Sequence, residues 1–170
     1  MPYYTQWDSR WGGKYYGLWK MAGTGCVPTV LSMVYSALTG KDIKPNNVAD
    51  YLYNKTSEFN RRVWGTSGIG ILQVSKAYGF KTEVLKTETK LRSALAEGHY
   101  VVAAVEHNKF TTGAHQLVAK GYKDGMTYMT DPYSPHLSGW YPISNLFRER
   151  SRDVIDTAGV GVPFIKITNV

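Results

Sequence analysis

The chain has one cysteine, in Thr24-Gly25-Cys26-Val27-Pro28-Thr29-Val30. Without a partner it cannot form an internal disulfide, so it is a core thiol, an intermolecular link or a reactive group. The residues after it read as a helix. Pro28 is tolerated in a first turn, Val30, Leu31, Val34 and Leu38 recur at helical spacing, and Gly40 is a stop signal. Cys26 is therefore expected at a helix N-terminus, where orphan N–H groups and the helix dipole favour the nucleophilic thiolate. A buried, inert thiol fits the same position until a base is found for it.

Four histidines could supply that base: His99, His107, His115 and His136. His115 opens a strand-like run to Tyr122, Asp124-Gly125 signals a turn, and Met126 to Asp131 reads as the return strand before Pro132. The hairpin brings His115 and Asp131 to the same end. The histidine would take the thiol proton, and the aspartate would hold the other ring nitrogen. Register decides whether they meet. A two-residue Asp-Gly loop pairs Lys123 with Met126 and puts Asp131 opposite Val118, on the wrong face. A three-residue loop ending in Gly125 pairs Tyr122 with Met126 and puts Asp131 opposite Leu117, on the face of His115. The three-residue loop is expected. His99, His107 and His136 read as surface or loop residues.

Four segments together resemble the C39-like cysteine peptidases, a papain-like group found in phage lysins and bacterial cell-wall hydrolases. They are Pro2-Tyr3-Tyr4-Thr5-Gln6-Trp7-Asp8-Ser9-Arg10-Trp11, Gly25-Cys26-Val27-Pro28-Thr29, Gly113-Ala114-His115-Gln116-Leu117-Val118 and Asp131-Pro132-Tyr133-Ser134. The resemblance runs from residue 2 to about residue 150. It implies Cys26 as nucleophile, His115 as base, Asp131 as orienter and Gln6 as an oxyanion donor beside the Cys26 N–H. A fixed amide N–H is chemically suited to that last task. Gly25 and Ala114, flanking the reactive pair, are expected to line the substrate groove. Val27 and Ala114 stand where the family often has glycine, and both are expected to narrow that groove.

The elements that must position these residues follow in order. Residues 1–25 read as an irregular arm, and helices are expected at 26–38, from Lys44-Pro45, at 70–78 and at 89–97. Residues 54–68 read as a surface loop near the groove, and 144–150 as a short helix. Strands are expected at 100–105, 115–122, 126–131 and 163–167. Helices first and strands later indicate an α+β fold in which a helical part carrying Cys26 packs on an antiparallel sheet carrying His115 and Asp131. The whole chain, 1–170, reads as one domain with the site in a cleft between its two halves.

Composition narrows the function. At 43% hydrophobic and 19% charged residues the chain is globular, and no run of apolar residues reaches membrane-spanning length. The N-terminus lacks the pattern of a signal peptide. No histidine and cysteine spacing suits zinc, and Gly65, Gly68 and Gly70 lack the lysine of a phosphate loop, so neither metal nor cofactor is expected. A net charge of +7 suits an anionic wall polymer such as teichoic acid. Arg61-Arg62 and Arg148 to Arg152 are the arginine clusters, and no nucleic-acid motif accompanies them. Trp140, shortly after Asp131, is the aromatic expected in the groove. With the resemblance to lytic C39-like domains, the basic charge and the groove aromatics imply a peptidase or amidase acting on Gram-positive peptidoglycan, outside the cell. A double-glycine leader peptidase and a catalytically silent wall-binding module are the alternatives.

Overall fold

Cys26–Thr39 forms a helix whose apolar residues are almost all buried, and Gly40 ends it in the left-handed conformation at φ 71°. The chain runs β1 (Tyr15–Tyr16), β2 (Trp19–Lys20), α1 (Met21–Thr24), α2 (Cys26–Thr39), α3 (Pro45–Lys55), α4 (Gly68–Ala77), β3 (Phe80–Val84) and α5 (Glu88–Ala96). It continues through β4 (Tyr100–Asn108), β5 (Thr111–Lys123), β6 (Met126–Thr130), β7 (Gly139–Pro142), α6 (Ile143–Arg148), α7 (Val154–Thr157) and β8 (Phe164–Asn169). This computed structural model describes residues 1–61 and 63–170, so Arg62 of the Arg61-Arg62 pair lies outside the described residues. Helix starts carry their own caps: Pro45 opens α3, the Ser67 hydroxyl accepts from the Gly70 N–H, and the Thr87 hydroxyl accepts from the Lys90 N–H.

The fold is α+β, with a six-stranded antiparallel sheet in the order β3-β8-β4-β5-β6-β7. Alternation along the strands divides the core. Val102, Val118, Ile165 and Ile167 pack with Val30, Leu31 and Val34 of α2. Val101, Ala103, Leu117 and Ala119 pack with Leu91 and Leu95 of α5 and Leu146 of α6. Strands β4 and β5 therefore read as near-continuous apolar runs, because both faces are covered.

Several elements differ from expectation. The arm before Cys26 holds the β1–β2 hairpin and helix α1, and β3, β7 and α7 were not anticipated. Strand β7 is four residues long and shields the open edge of β6. His107 lies within β4, at a bulge, with φ 48°.

The β5–β6 turn also corrects the expected loop. Lys123 pairs with Met126, so the turn is the two-residue Asp124-Gly125, both at positive φ (52° and 75°). The register nevertheless ends where the three-residue loop would have put it. Between Lys120↔Tyr128 and Lys123↔Met126, β5 carries one extra residue, with Gly121 at φ 85°. This β-bulge shifts the ladder by one, so that Val118 pairs with Thr130 and the next step sets Asp131 against Leu117. Deleting Gly121 should remove the extra residue and leave a continuous ladder with Val118 still against Thr130 and Asp131 still against Leu117. Peptide hydrolysis is then expected to stay within about tenfold of the wild type while the far-UV circular dichroism keeps its sheet signal. Gly121→Val, forced into a left-handed conformation, should lower stability by about 1–2 kcal/mol in urea unfolding.

Candidate active site

Cys26 is the first residue of α2, partly exposed, with its backbone N–H among the orphan donors of the helix start. Gly25 precedes it as the N-cap, hydrogen-bonded through its N–H to the Met21 carbonyl at 2.8 Å. A Cβ at Gly25 would lie 2.6 Å from that carbonyl oxygen and 2.4 Å from the Met21 sulfur. Glycine there lets α1 run directly into α2 and so fixes where the sulfur emerges.

His115 reaches Cys26 from near the start of β5. Its Nε2 is 2.8 Å from Asp131 Oδ1, and Cys26 is its second charged neighbour. Burial alone would push the imidazole down. The hydrogen bonds to Asp131 and Cys26, together with their charges, outweigh it and raise its pKa from 6.5 to about 10. Asp131 is wholly buried. Its Oδ1 also accepts the Tyr133 and Ser134 N–H groups at 2.8 and 3.1 Å, and its own N–H donates to Ser138 Oγ. An aspartate before proline forms such a turn readily.

Gln6 comes from the far end of the chain and is only 3% exposed. Its Nε2 donates to the Ala22 carbonyl at 2.9 Å, which leaves the second amide proton of that nitrogen. Three further bonds clasp the arm to the segment after β6. The Tyr3 hydroxyl donates to the Asp131 carbonyl, the Gln6 N–H to the Pro132 carbonyl at 2.9 Å, and Trp7 Nε1 to the Tyr133 carbonyl at 2.7 Å. Burial first, and then the charge of Asp131, push the Tyr3 hydroxyl up to about 12, so it stays a donor.

Gln6, Cys26, Val27, Ala114 and His115 line one cleft of about 400 Å³, with Asp131 behind the imidazole. The wall facing them includes Trp64, Gly65 and Thr66 of the loop between α3 and α4. Trp140 is a correction. It pairs with Tyr128 on β7 and lines a separate depression with Tyr3, Tyr100 and Lys120. Alternation and the turn through residues 131–139 carry it away from the cleft. The aromatics at the cleft are Trp64, Phe110 and Tyr133, of which Trp64 belongs to the 54–68 loop expected near the groove. Gly25 shapes the backbone behind the sulfur rather than lining the cleft. Asp153 and Asp156, also on the cleft wall, were missed because the charged stretch around them read as an arginine cluster. Among the described residues no group of acidic, histidine or cysteine side chains could hold a metal.

The raised imidazole pKa ties stability to pH. A group whose pKa is higher in the folded than the unfolded state stabilises fully below the unfolded value and loses that contribution as pH rises through the folded one. The stability margin of the wild type over His115→Gln should therefore be greatest below pH 6.5 and shrink as pH approaches about 10, read by urea denaturation across that range.

The model of the Peptidase_C39 like family matches residues 1–152. No curated protein sequence matches closely enough to count as a relative. Among solved structures, the peptidase domain of Streptococcus ComA, a bifunctional ABC transporter involved in a quorum-sensing pathway, is similar at 20% identity and TM-score 0.63. That match covers 87% of this chain and 93% of that one. A protein of Bacillus anthracis described as a C39-like peptidase gives 15% identity and TM-score 0.67, over 99% and 94% of the two chains. A double glycine motif protease from an AMS/PCAT transporter, solved in complex with a leader peptide, gives 17% identity and TM-score 0.57, over 95% and 96%. The family match extends from the arm carrying Gln6 through the sheet carrying His115 and Asp131, and on that ground the chain belongs to the Peptidase_C39 like family and is a cysteine peptidase.

Proposed function

We propose that Cys26, His115, Asp131 and Gln6 hydrolyse a peptide bond through a thioester acyl-enzyme, on a substrate with a small residue on its acyl side. The observation that carries this is the convergence of sulfur, imidazole and buried carboxylate in one cleft, with the Gln6 amide beside them. The sulfur, as thiolate, attacks the carbonyl carbon, and the oxyanion takes the Gln6 Nε2–H and the Cys26 N–H. The C–N bond breaks as His115 gives its proton to the leaving nitrogen. Water then adds to the thioester, His115 takes a proton from it, and the acid leaves as the sulfur is released. Val27 and Ala114 narrow the cleft beside the reactive pair, which favours glycine or alanine there.

The first substrate candidate is the peptide of the Gram-positive wall. A net charge of +7 supports it, because anionic wall polymers would concentrate such a protein at its target. On this reading the enzyme acts outside the cell. A double-glycine leader peptide is the second candidate, favoured by the leader-bound structure of one similar protease.

Mass spectrometry of products from purified Gram-positive peptidoglycan and from a synthetic double-glycine peptide separates the two. Wild type should release wall peptides, and Cys26→Ala should release none. Cleavage of the synthetic peptide with intact walls left behind would instead assign the leader role. Gln6→Ala should slow hydrolysis of whichever substrate is cleaved by about 100- to 1000-fold with little change in KM.

A further inference from the structure

One wall of the cleft has no part in the chemistry above. Asp153, Ile155 and Asp156 form it, at the start of α7. The chain as a whole carries +7, yet no lysine or arginine stands among the described residues lining the cleft. Each carboxylate is anchored by one oxygen. Asp156 Oδ2 accepts from Ser151 Oγ at 2.6 Å, and Asp153 Oδ1 accepts from the Ile155 N–H at 2.9 Å. Among the described residues, neither acid has a basic partner. Burial pushes the Asp156 carboxyl up to about 6, and the charges of Asp153 and Glu106 add to the shift against Ser151 and His115.

A second, independent observation lies beside it. Thr66 and Gln116 line the same cleft, each only 3% exposed, and Thr66 Oγ1 and Gln116 Oε1 have no hydrogen-bond partner among the described residues. Two residues beyond Thr66, Gly68 packs against the backbone of α7, so that a Cβ there would lie 2.9 Å from the Asp156 carbonyl oxygen. Buried polar atoms left unpaired are costly, and carboxylate, hydroxyl and amide oxygens can all accept. The group that would satisfy them together is one with several donors and a positive charge.

The wall also has a side. Ser151, which holds Asp156, donates its own N–H to the Ala104 carbonyl at 2.9 Å, and Ala104 pairs with Gln116 next to His115, so the acids lie towards the imidazole. In this chemistry the imidazole hands its proton to the departing amine, which places the leaving half of the substrate over it. We propose that Asp153 and Asp156, with Thr66 and Gln116, form a subsite that selects a lysine or arginine side chain on the leaving-group side of the scissile bond. The proposal rests on the catalytic roles assigned above. It adds a specificity that those roles do not require.

Synthetic peptides with Gly-Gly before the scissile bond and lysine, arginine, norleucine or glutamate after it test this. Their turnover by the wild type is measured, and their binding to Cys26→Ala by fluorescence anisotropy. Lysine and arginine peptides should exceed the norleucine peptide by about tenfold in kcat/KM and in affinity, with glutamate weakest. Asp153→Asn with Asp156→Asn keeps the cap of α7 and the acceptor for Ser151, and should bring the four peptides close to parity. Equal handling of lysine and norleucine by the wild type, or a cation preference that survives the double substitution, overturns the subsite. Preferential binding of the lysine peptide by Cys26→Ala, with no turnover of any peptide by the wild type, supports the subsite and removes the hydrolytic roles on which it was built.

Discussion

A carboxylate with no exposure to solvent is tolerable only if protein groups replace its water. At Asp131 the replacement is local and nearly complete on one oxygen: two backbone N–H groups from Tyr133 and Ser134, and the His115 ring. The bonds from 133 and 134 hold the carboxylate from its own turn, so it is in place before the imidazole is considered. The imidazole then has a fixed acceptor. With Nε2 committed to Asp131, the interactions with Asp131 and Cys26 keep the ring protonated well above its ordinary range. The orientation of the site depends on that buried hydrogen bond.

Around it the fold solves a problem of distance along the chain. The four side chains proposed for catalysis come from residues 6, 26, 115 and 131. Residues 115 and 131 are joined by one hairpin, and 26 reaches them because α2 lies against β5 through a shared apolar face. Gln6 needs a separate device, because the arm before β1 has little regular structure. Its hydrogen bonds to residues 131–133 provide one, and the Tyr4 ring packed edge-on to Trp11 gives the arm a core of its own. The same segment thus holds the Asp131 carboxylate and the strap that places Gln6. A change in residues 131–133 would disturb both.

The cleft differs electrostatically from the surface that surrounds it. A net charge of +7 favours encounter with polyanions, while two aspartates stand on the inner wall of the cleft. The two can coexist because surface charge is screened over about 8–10 Å in physiological salt, whereas Asp156 sits half-buried beside groups that cannot reorient freely.

The sequence alone was enough to place Cys26 at the start of a helix, the histidine and aspartate at one end of a hairpin, and the whole in an α+β fold. These are short-range facts: helical spacing after Cys26, a Pro in the first turn, apolar strands around Asp124-Gly125. Tertiary structure decided what depends on accumulated geometry. The turn expected from the sequence was wrong and the final register right, because a bulge at Gly121 restores the residue that the tighter loop removes, and glycine is equally at home in a turn or a bulge. Trp140 was placed in the groove by its nearness to Asp131 in sequence, but one strand's pairing carries it to another surface. Trp64, Thr66, Asp153 and Asp156 have no periodic signal. They reach the cleft only because two loops distant in the chain close over it, and contacts of that kind leave no mark in local pattern.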